Sequence, residues 1–414
     1  MKKWSCLILA LVLMIGALFS CNKITDSGKE SDSNPDSGVQ SESTTTPATE
    51  RNDSNLKELT INGKALSDYT IVYAKSEYDA LSVNLKVKIT EENDFDRLTA
   101  ERLAALFYEK FGVKPEVRQD AQNAEADAEI LIGKTNRGLY DTELSVDSYQ
   151  FELREGRLVI CGGAYGTTWH AVDAMEKWIA KKDQSGATSA DFTSADSLNG
   201  TYHLNAVACI GDSITAGFAA SDPILSYPAC MQRVLWRDYL VFNYGVSATT
   251  MRDDINPYRR TTAWQNLLQN PIQYDLVLIM LGTNDSGRDA EWSQNDDYNY
   301  QSNFQTLVRQ VEKHSPQAQY VLMNCPTCFT PGTTYGSEHM LKLQKETAKW
   351  LYEQGVAISF FNMNQYTAKE MGSSLFPDTI HPSDAGYAKM GQEVAALSEA
   401  VMSGDIIEYM ESLD

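Results

Sequence analysis

From residue 203 onward the chain alternates between short, continuous apolar runs and segments of helical spacing. The runs occupy residues 207–210, 239–243, 276–281, 320–323 and 356–361. Between them lie helix-like segments near 227–235, 261–268, 303–313 and 338–353, followed by a last one at 385–400. A strand that is apolar on both faces must be covered on both, and consecutive parallel strands need crossover connections, usually helices. Five such strands joined right-handedly predict an α/β fold: a three-layer, doubly wound parallel five-stranded sheet with its site at the carboxyl ends of the strands.

Several chemistry-bearing residues fall at that edge. Ser213, in Cys209-Ile210-Gly211-Asp212-Ser213-Ile214-Thr215, stands where the first run ends and the chain turns towards a helix. A serine hydroxyl is a weak nucleophile at neutral pH unless a base takes its proton and fixed donors receive the charge on the attacked carbonyl. Of the five histidines, His170, His203, His314, His339 and His381, only His381 shares a small loop with a carboxylate three residues earlier, in Asp378-Thr379-Ile380-His381. That spacing lets Asp378 hold the imidazole in one tautomer. Gly245 and Asn284 follow two further apolar runs and supply a backbone N–H and a side-chain amide. Asp212 and Asp285 sit in the turns that must position Ser213 and Asn284, so they read as loop-holding acceptors, not as a carboxylate pair for glycoside hydrolysis. No residue pattern marks a metal site or a cofactor.

These blocks, Gly211-Asp212-Ser213, Gly245, Gly282-Thr283-Asn284-Asp285 and Asp378-Thr379-Ile380-His381, resemble in kind and order those of the SGNH hydrolases, also called GDSL esterases. The resemblance runs from about residue 206 to 402 and implies an SGNH/flavodoxin-like catalytic domain over 203–414. It implies Ser213 as nucleophile, His381 as general base and then acid, and Asp378 as its orienter. It further implies an oxyanion hole made by the N–H groups of Ser213 and Gly245 with the Asn284 side chain. Ala248 stands where the family often has a second glycine.

The N-terminal part carries its own signals. Lys2 and Lys3 precede an apolar run over residues 7–19, too short to span a bilayer but suited to a secretory signal. The run ends in Leu18-Phe19-Ser20-Cys21, which resembles a bacterial lipobox and implies a signal peptide over 1–21, cleavage before Cys21 and lipidation of that cysteine. Residues 22–55 are rich in Ser, Thr and Asp and too poor in apolar groups to offset their ordering entropy, which predicts a disordered tether. A random coil of that length spans on the order of 30 Å. Removing Lys2 and Lys3 moves the formal net charge from −21 to −23, which repels nucleic acid and anionic membrane surfaces. The expected location is therefore extracellular, at a bacterial cell surface, with membrane contact only through the lipid at Cys21.

Residues 56–182 read as a smaller α/β accessory domain, with Glu155-Gly156 as a hairpin turn, and 183–202 as a connector in which Asp191-Phe192-Thr193 is a candidate edge strand. Two fragments, 129–137 and 162–167, resemble the small α/β domain that precedes the catalytic domain in some bacterial glycoside hydrolases, which implies a carbohydrate context. Of seven cysteines, Cys6 leaves with a signal and Cys21 takes lipid; Cys325 and Cys328 have redox-motif spacing but read as structural thiols or one local disulfide. Trp264, Trp292, Tyr298 and Tyr227 are candidates for stacking on sugar rings. The function expected is a cell-surface serine esterase that removes acetyl or another short acyl group from carbohydrate. A general short-chain esterase or lysophospholipase, and a non-catalytic surface glycan-binding protein, remain alternatives. Nothing in the sequence sets an oligomeric state.

Overall fold

The central element of the C-terminal half is a strand, β1 (Asn205–Gly211), buried from its second residue on. Around it lie β2 (Tyr239–Gly245), β3 (Leu276–Met280), β4 (Gln319–Met323) and β5 (Ile358–Phe361), all parallel, in the order β2-β1-β3-β4-β5. The expected doubly wound sheet is therefore present. The chain leaves β1 to one side and later returns to the other, so a crevice opens at the carboxyl end of β1, where such sheets carry their sites. In-register pairing of Gly211 with both Gly245 and Met280 brings the three following turns to one rim.

The structure is a computed structural model, describing residues 54–75, 78–82, 85–88, 94–122, 124–287 and 292–404. The expected signal segment, Cys21 and the tether up to residue 53 lie outside the described residues.

Alternation along each strand explains the two covering layers. Ala206, Ala208 and Ile210 face one side, with α3 (Thr262–Gln269), α5 (Gln294–His314) and α6 (Glu338–Glu353) packed there through Leu267, Phe304, Leu307 and Leu343. Val207 and Cys209 face the other, under α2 (Tyr227–Leu235) and α7 (Asp384–Ser403), through Met231, Tyr387 and Met390. Two one-turn helices, α1 (Ser213–Ala216) and α4 (Thr283–Ser286), begin directly after β1 and β3. Helix α5 starts nine residues before the expected 303, because its polar opening turns carry no apolar period and are started by a Ser293–Asp296 capping box.

The preceding residues build a six-stranded sheet in the order Gly200–Thr201, Ser148–Arg154, Arg157–Gly162, Glu129–Ile132, Thr70–Tyr73, Glu116–Gln119. Helices Phe95–Phe111 and Tyr165–Gln184 pack on it. The hairpin at Glu155-Gly156 forms as expected, with both residues at positive φ, 49° and 80°. Residues 183–202 are more than a connector, and the candidate edge strand at 191–193 is present, starting two residues earlier, as Ser189–Phe192. Ser189–Phe192 pairs in parallel with Glu58–Ile61, and Gly200–Thr201 pairs with Ser148–Arg154. Ala190 and Phe192 alternate into the accessory core, a two-residue period that the abundance of Ser, Thr and Asp obscures.

The two sheets belong to one compact unit, Asp53–Asp414. The amino ends of both accessory helices meet the C-terminal half. Phe95 stacks on Trp236 at 4.6 Å and meets Tyr165 edge-on at 5.2 Å. A Cβ on Gly166 would stand 2.4 Å from the Arg237 carbonyl oxygen, so only glycine allows this approach. His170 Nδ1 lies 2.8 Å from Asp173, its Nε2 3.0 Å from Asp238, and its ring stacks on Tyr202 at 3.5 Å.

Candidate active site

The turn after β1 is shaped by a cap and two close approaches. Asp212 caps α1 by accepting from Ile214 N–H at 3.0 Å, which leaves Ser213 at the first helical position with its Oγ in a cavity. Gly217, at φ 87°, ends the helix after one turn. Gly245 supplies the room: a Cβ there would lie 2.2 Å from Ala216 N and 2.6 Å from Thr215 C. Asn243 ties the two turns together, its amide donating to Thr215 O at 2.9 Å and its Oδ1 accepting from Gly245 N–H at 2.9 Å.

That last bond corrects one expectation. The Gly245 N–H is committed to Asn243, and Gly245 does not line the cavity. The lining residue from this loop is Ala248, held at φ 63° in the left-handed region. A residue with a Cβ reaches that region at a cost of roughly 1–2 kcal/mol, so the surrounding bonds must impose it. They do so at three points, the first being the Asn256 amide, which donates to Ala248 O at 2.8 Å. Asn284 donates its amide to Thr249 O at 2.9 Å, and the Asp285 carboxylate accepts from Met251 N–H at 2.9 Å and Arg252 N–H at 3.0 Å. Asp285 is fully buried, and burial pushes its carboxyl up to about 6 against those bonds and the Arg252 charge. Asp212 is 1% exposed; burial pushes it up to about 7, Asp285 adding to the effect. Both aspartates therefore hold loops, as their positions predict.

The remaining groups come from one turn before α7. His381 Nε2 lies 2.8 Å from Ser213 Oγ, and its Nδ1 lies 2.7 Å from Asp378 Oδ2. The other Asp378 oxygen accepts from Ile380 N–H at 3.0 Å and His381 N–H at 2.6 Å, with Thr379 at φ 70° to close the turn. Burial opposes ionisation of Asp378, but the bonds from His381 and Ile380 outweigh it and hold the carboxyl below its usual range. Ser221, beyond α1, donates backbone and side-chain bonds to Asp384 at 2.8 and 2.6 Å, tying the serine segment to the start of α7.

The cavity measures about 210 Å³ and is lined by Ser213, Phe218, Ser247, Ala248, Thr283, Asn284, Tyr335, Ile380 and His381. The aromatics at its walls, Phe218 and Tyr335, are not those expected. Tyr227 and Trp264 are buried core residues, and Trp292 bonds Asp297 at 2.7 Å beneath the Arg252 guanidinium; of the four, only Tyr298 is exposed, at 73%. Cys161, Cys209, Cys230, Cys325 and Cys328 are free thiols. Cys325 is packed under the Asn284 turn, 3.2 Å from where a Gly282 Cβ would stand, and burial raises its thiol far above the reactive range. Among the described residues no group of three His, Cys, Asp or Glu side chains is arranged to hold a metal ion.

Residues 209–389, which span every one of these turns, match the model of the GDSL-like Lipase/Acylhydrolase family. This stretch is a GDSL-like lipase/acylhydrolase domain. An acetylxylan esterase of Xylanibacter ruminicola is 30% identical to the chain over 217 residues, covering 46% of this chain and 42% of that protein. The chain thus spans less than half the length of this curated relative. Among solved structures, a family two carbohydrate esterase from Clostridium thermocellum in complex with cellohexaose matches at 18% identity and a TM-score of 0.39, covering 50% of this chain and 68% of that one. A carbohydrate acetylesterase from Sinorhizobium meliloti matches at 23% identity and a TM-score of 0.38, covering 48% and 99%. Within the GDSL-like domain, Ala248, Phe218 and Tyr335 are among the wall residues that sequence reasoning missed as site residues. A left-handed alanine leaves no mark in a sequence. Phe218 follows a small-residue stretch with no periodicity to assign its face.

Proposed function

We propose that the GDSL-like domain hydrolyses acetyl or other short acyl esters of carbohydrate through Ser213, His381 and Asp378. The 2.8 Å contact between Ser213 Oγ and His381 Nε2 carries this reading, because it joins residues 168 positions apart in the geometry that proton transfer requires. Ser213 Oγ attacks the ester carbonyl as its proton passes to Nε2. The imidazolium then protonates the departing alcohol, and the same nitrogen activates the water that releases the acid. Asp378, bonded to Nδ1, keeps Nε2 free to accept and steadies the imidazolium.

The oxyanion is received by the Ser213 N–H, the Ala248 N–H and the Asn284 amide. The Ser213 N–H opens α1 and so has no partner inside that helix. Ala248 takes the donor role that the family resemblance assigned to Gly245. A cavity of about 210 Å³ suits an acetyl-sized group and disfavours a long acyl chain. The similarity to an acetylxylan esterase supports a carbohydrate alcohol.

The accessory sheet is proposed as a rigid support rather than a glycan-binding module, since the helix ends at its carboxyl edge are occupied by Trp236 and Arg237. The export signal, Cys21 and the tether support an extracellular, lipid-anchored location. No helix among the described residues is long and apolar enough to cross a membrane.

The test is acetate release from acetylated oligosaccharides. Ser213→Ala should abolish turnover with an unchanged circular dichroism spectrum, and Asn284→Ala should lower kcat by about 10²–10³-fold. Undiminished hydrolysis by the serine variant would end the proposal.

A further inference from the structure

We propose, resting on the esterase reading above, that Phe218 is the platform against which the sugar ring of the ester's alcohol part stacks. Phe218 lines the cavity, yet its side chain is among the few large apolar groups left exposed among the described residues, at 55%. Isolated exposed apolar residues are ordinary on protein surfaces, so exposure alone says little. Its placement says more. The ring lies 4.6 Å from the His381 imidazole, tilted by 56°, and the backbone that carries it is fixed from both sides. Phe218 N–H donates to Ser213 O at 2.9 Å, and Phe218 O accepts from Tyr387 O–H at 2.7 Å. Gly217 before it and Ala219 after it are both in the left-handed region, at φ 87° and 69°, which turns the chain sharply on either side of the ring.

The direction of the reaction decides what this ring faces. The carbonyl oxygen must point towards Ala248 and Asn284, whereas the alcohol oxygen must lie beside His381, which protonates it as it leaves. An aromatic face flanking that imidazole is therefore next to the alcohol half of the substrate and not the acyl half. Pyranose rings present apolar C–H faces between their hydroxyl edges, and a fixed aromatic ring meets such a face at low entropic cost.

The experiment compares kcat/KM for an acetylated methyl xyloside with kcat/KM for ethyl acetate, whose alcohol has no ring to stack. In Phe218→Ala the ratio of the two should fall about five- to tenfold, and in Phe218→Trp it should return to within about twofold of the unaltered chain. An unchanged ratio in Phe218→Ala, with both substrates slowed alike, would overturn the platform and leave the ring as a support for His381. Failure of the unaltered chain to hydrolyse either ester would overturn the esterase reading itself and the platform with it.

Discussion

Replacing Asp212 by asparagine isolates the cost of a buried charge under the serine turn. The carboxyl is enclosed: one oxygen accepts from Ile214 N–H at 3.0 Å, and the other is buried with no hydrogen-bond partner. Burial nevertheless moves it from 3.8 to about 7. The folded chain therefore retains a proton that the unfolded chain releases from about pH 4 upwards, so this group lowers stability progressively as pH rises to about 7 and no further. At about 1.4 kcal/mol per pKa unit, the displacement amounts to about 4 kcal/mol. Asparagine keeps an oxygen for Ile214 and never ionises. Relative to the unaltered chain, Asp212→Asn should gain about 4 kcal/mol between about pH 4 and pH 8, whatever constant offset its amide introduces. Urea denaturation followed by tryptophan fluorescence at about pH 4, 6 and 8 reads this, because titrations of groups remote from Asp212 cancel in the difference. A difference that stays constant over that range would refute a carboxyl raised by burial.

Two further outcomes follow from the packing. Gly245→Ala sets a Cβ 2.2 Å from Ala216 N, a backbone atom that cannot rotate away; we expect a loss of about 1–3 kcal/mol and reduced ester hydrolysis through a displaced Ser213, and an unchanged Tm with full activity would refute the close approach. At the junction of the two sheets, burial alone would lower the His170 pKa, but its bonds to Asp238 and Asp173 outweigh burial and raise it. A raised folded pKa adds stability that is complete below the unfolded value and is lost as pH rises through the folded one, so the Tm advantage over His170→Gln should be larger near pH 6 than near pH 9. Equal differences at the two pH values would rule out a charged latch.

The sheet was legible in the sequence because each of its strands is apolar on both faces, a pattern that few other folds require. Ser213, Asn284, Asp378 and His381 were legible because each follows such a strand or sits in one self-contained turn. Gly245 was picked out for the wrong reason. A glycine announces that something comes close, but the sequence does not say whether that is a substrate or, as here, the backbone of Ala216. The wall residue from this loop, Ala248, is held in its left-handed backbone by a bond from Asn256 and lies in a loop tied down by Asn284 and Asp285, more than thirty residues away. Phe218 and Tyr335 became visible only once the turns were brought to one rim. Of the two edge strands in this stretch, the one at 189–192 was legible only in part, at 191–193, and the one at 200–201 was hidden, because strands this short carry too little apolar alternation to stand out from a Ser- and Thr-rich background.

Those two short strands bear on how the chain is made. Because Ser189–Phe192 lies beside Glu58–Ile61, the first sheet system stays unfinished at the ribosome until some 130 further residues have been synthesised. Through that interval the nascent lobe shows an unpaired strand edge. The segment that closes this edge is also the one that leads into β1, so completion of the first lobe and initiation of the second are successive moments of a single passage of chain.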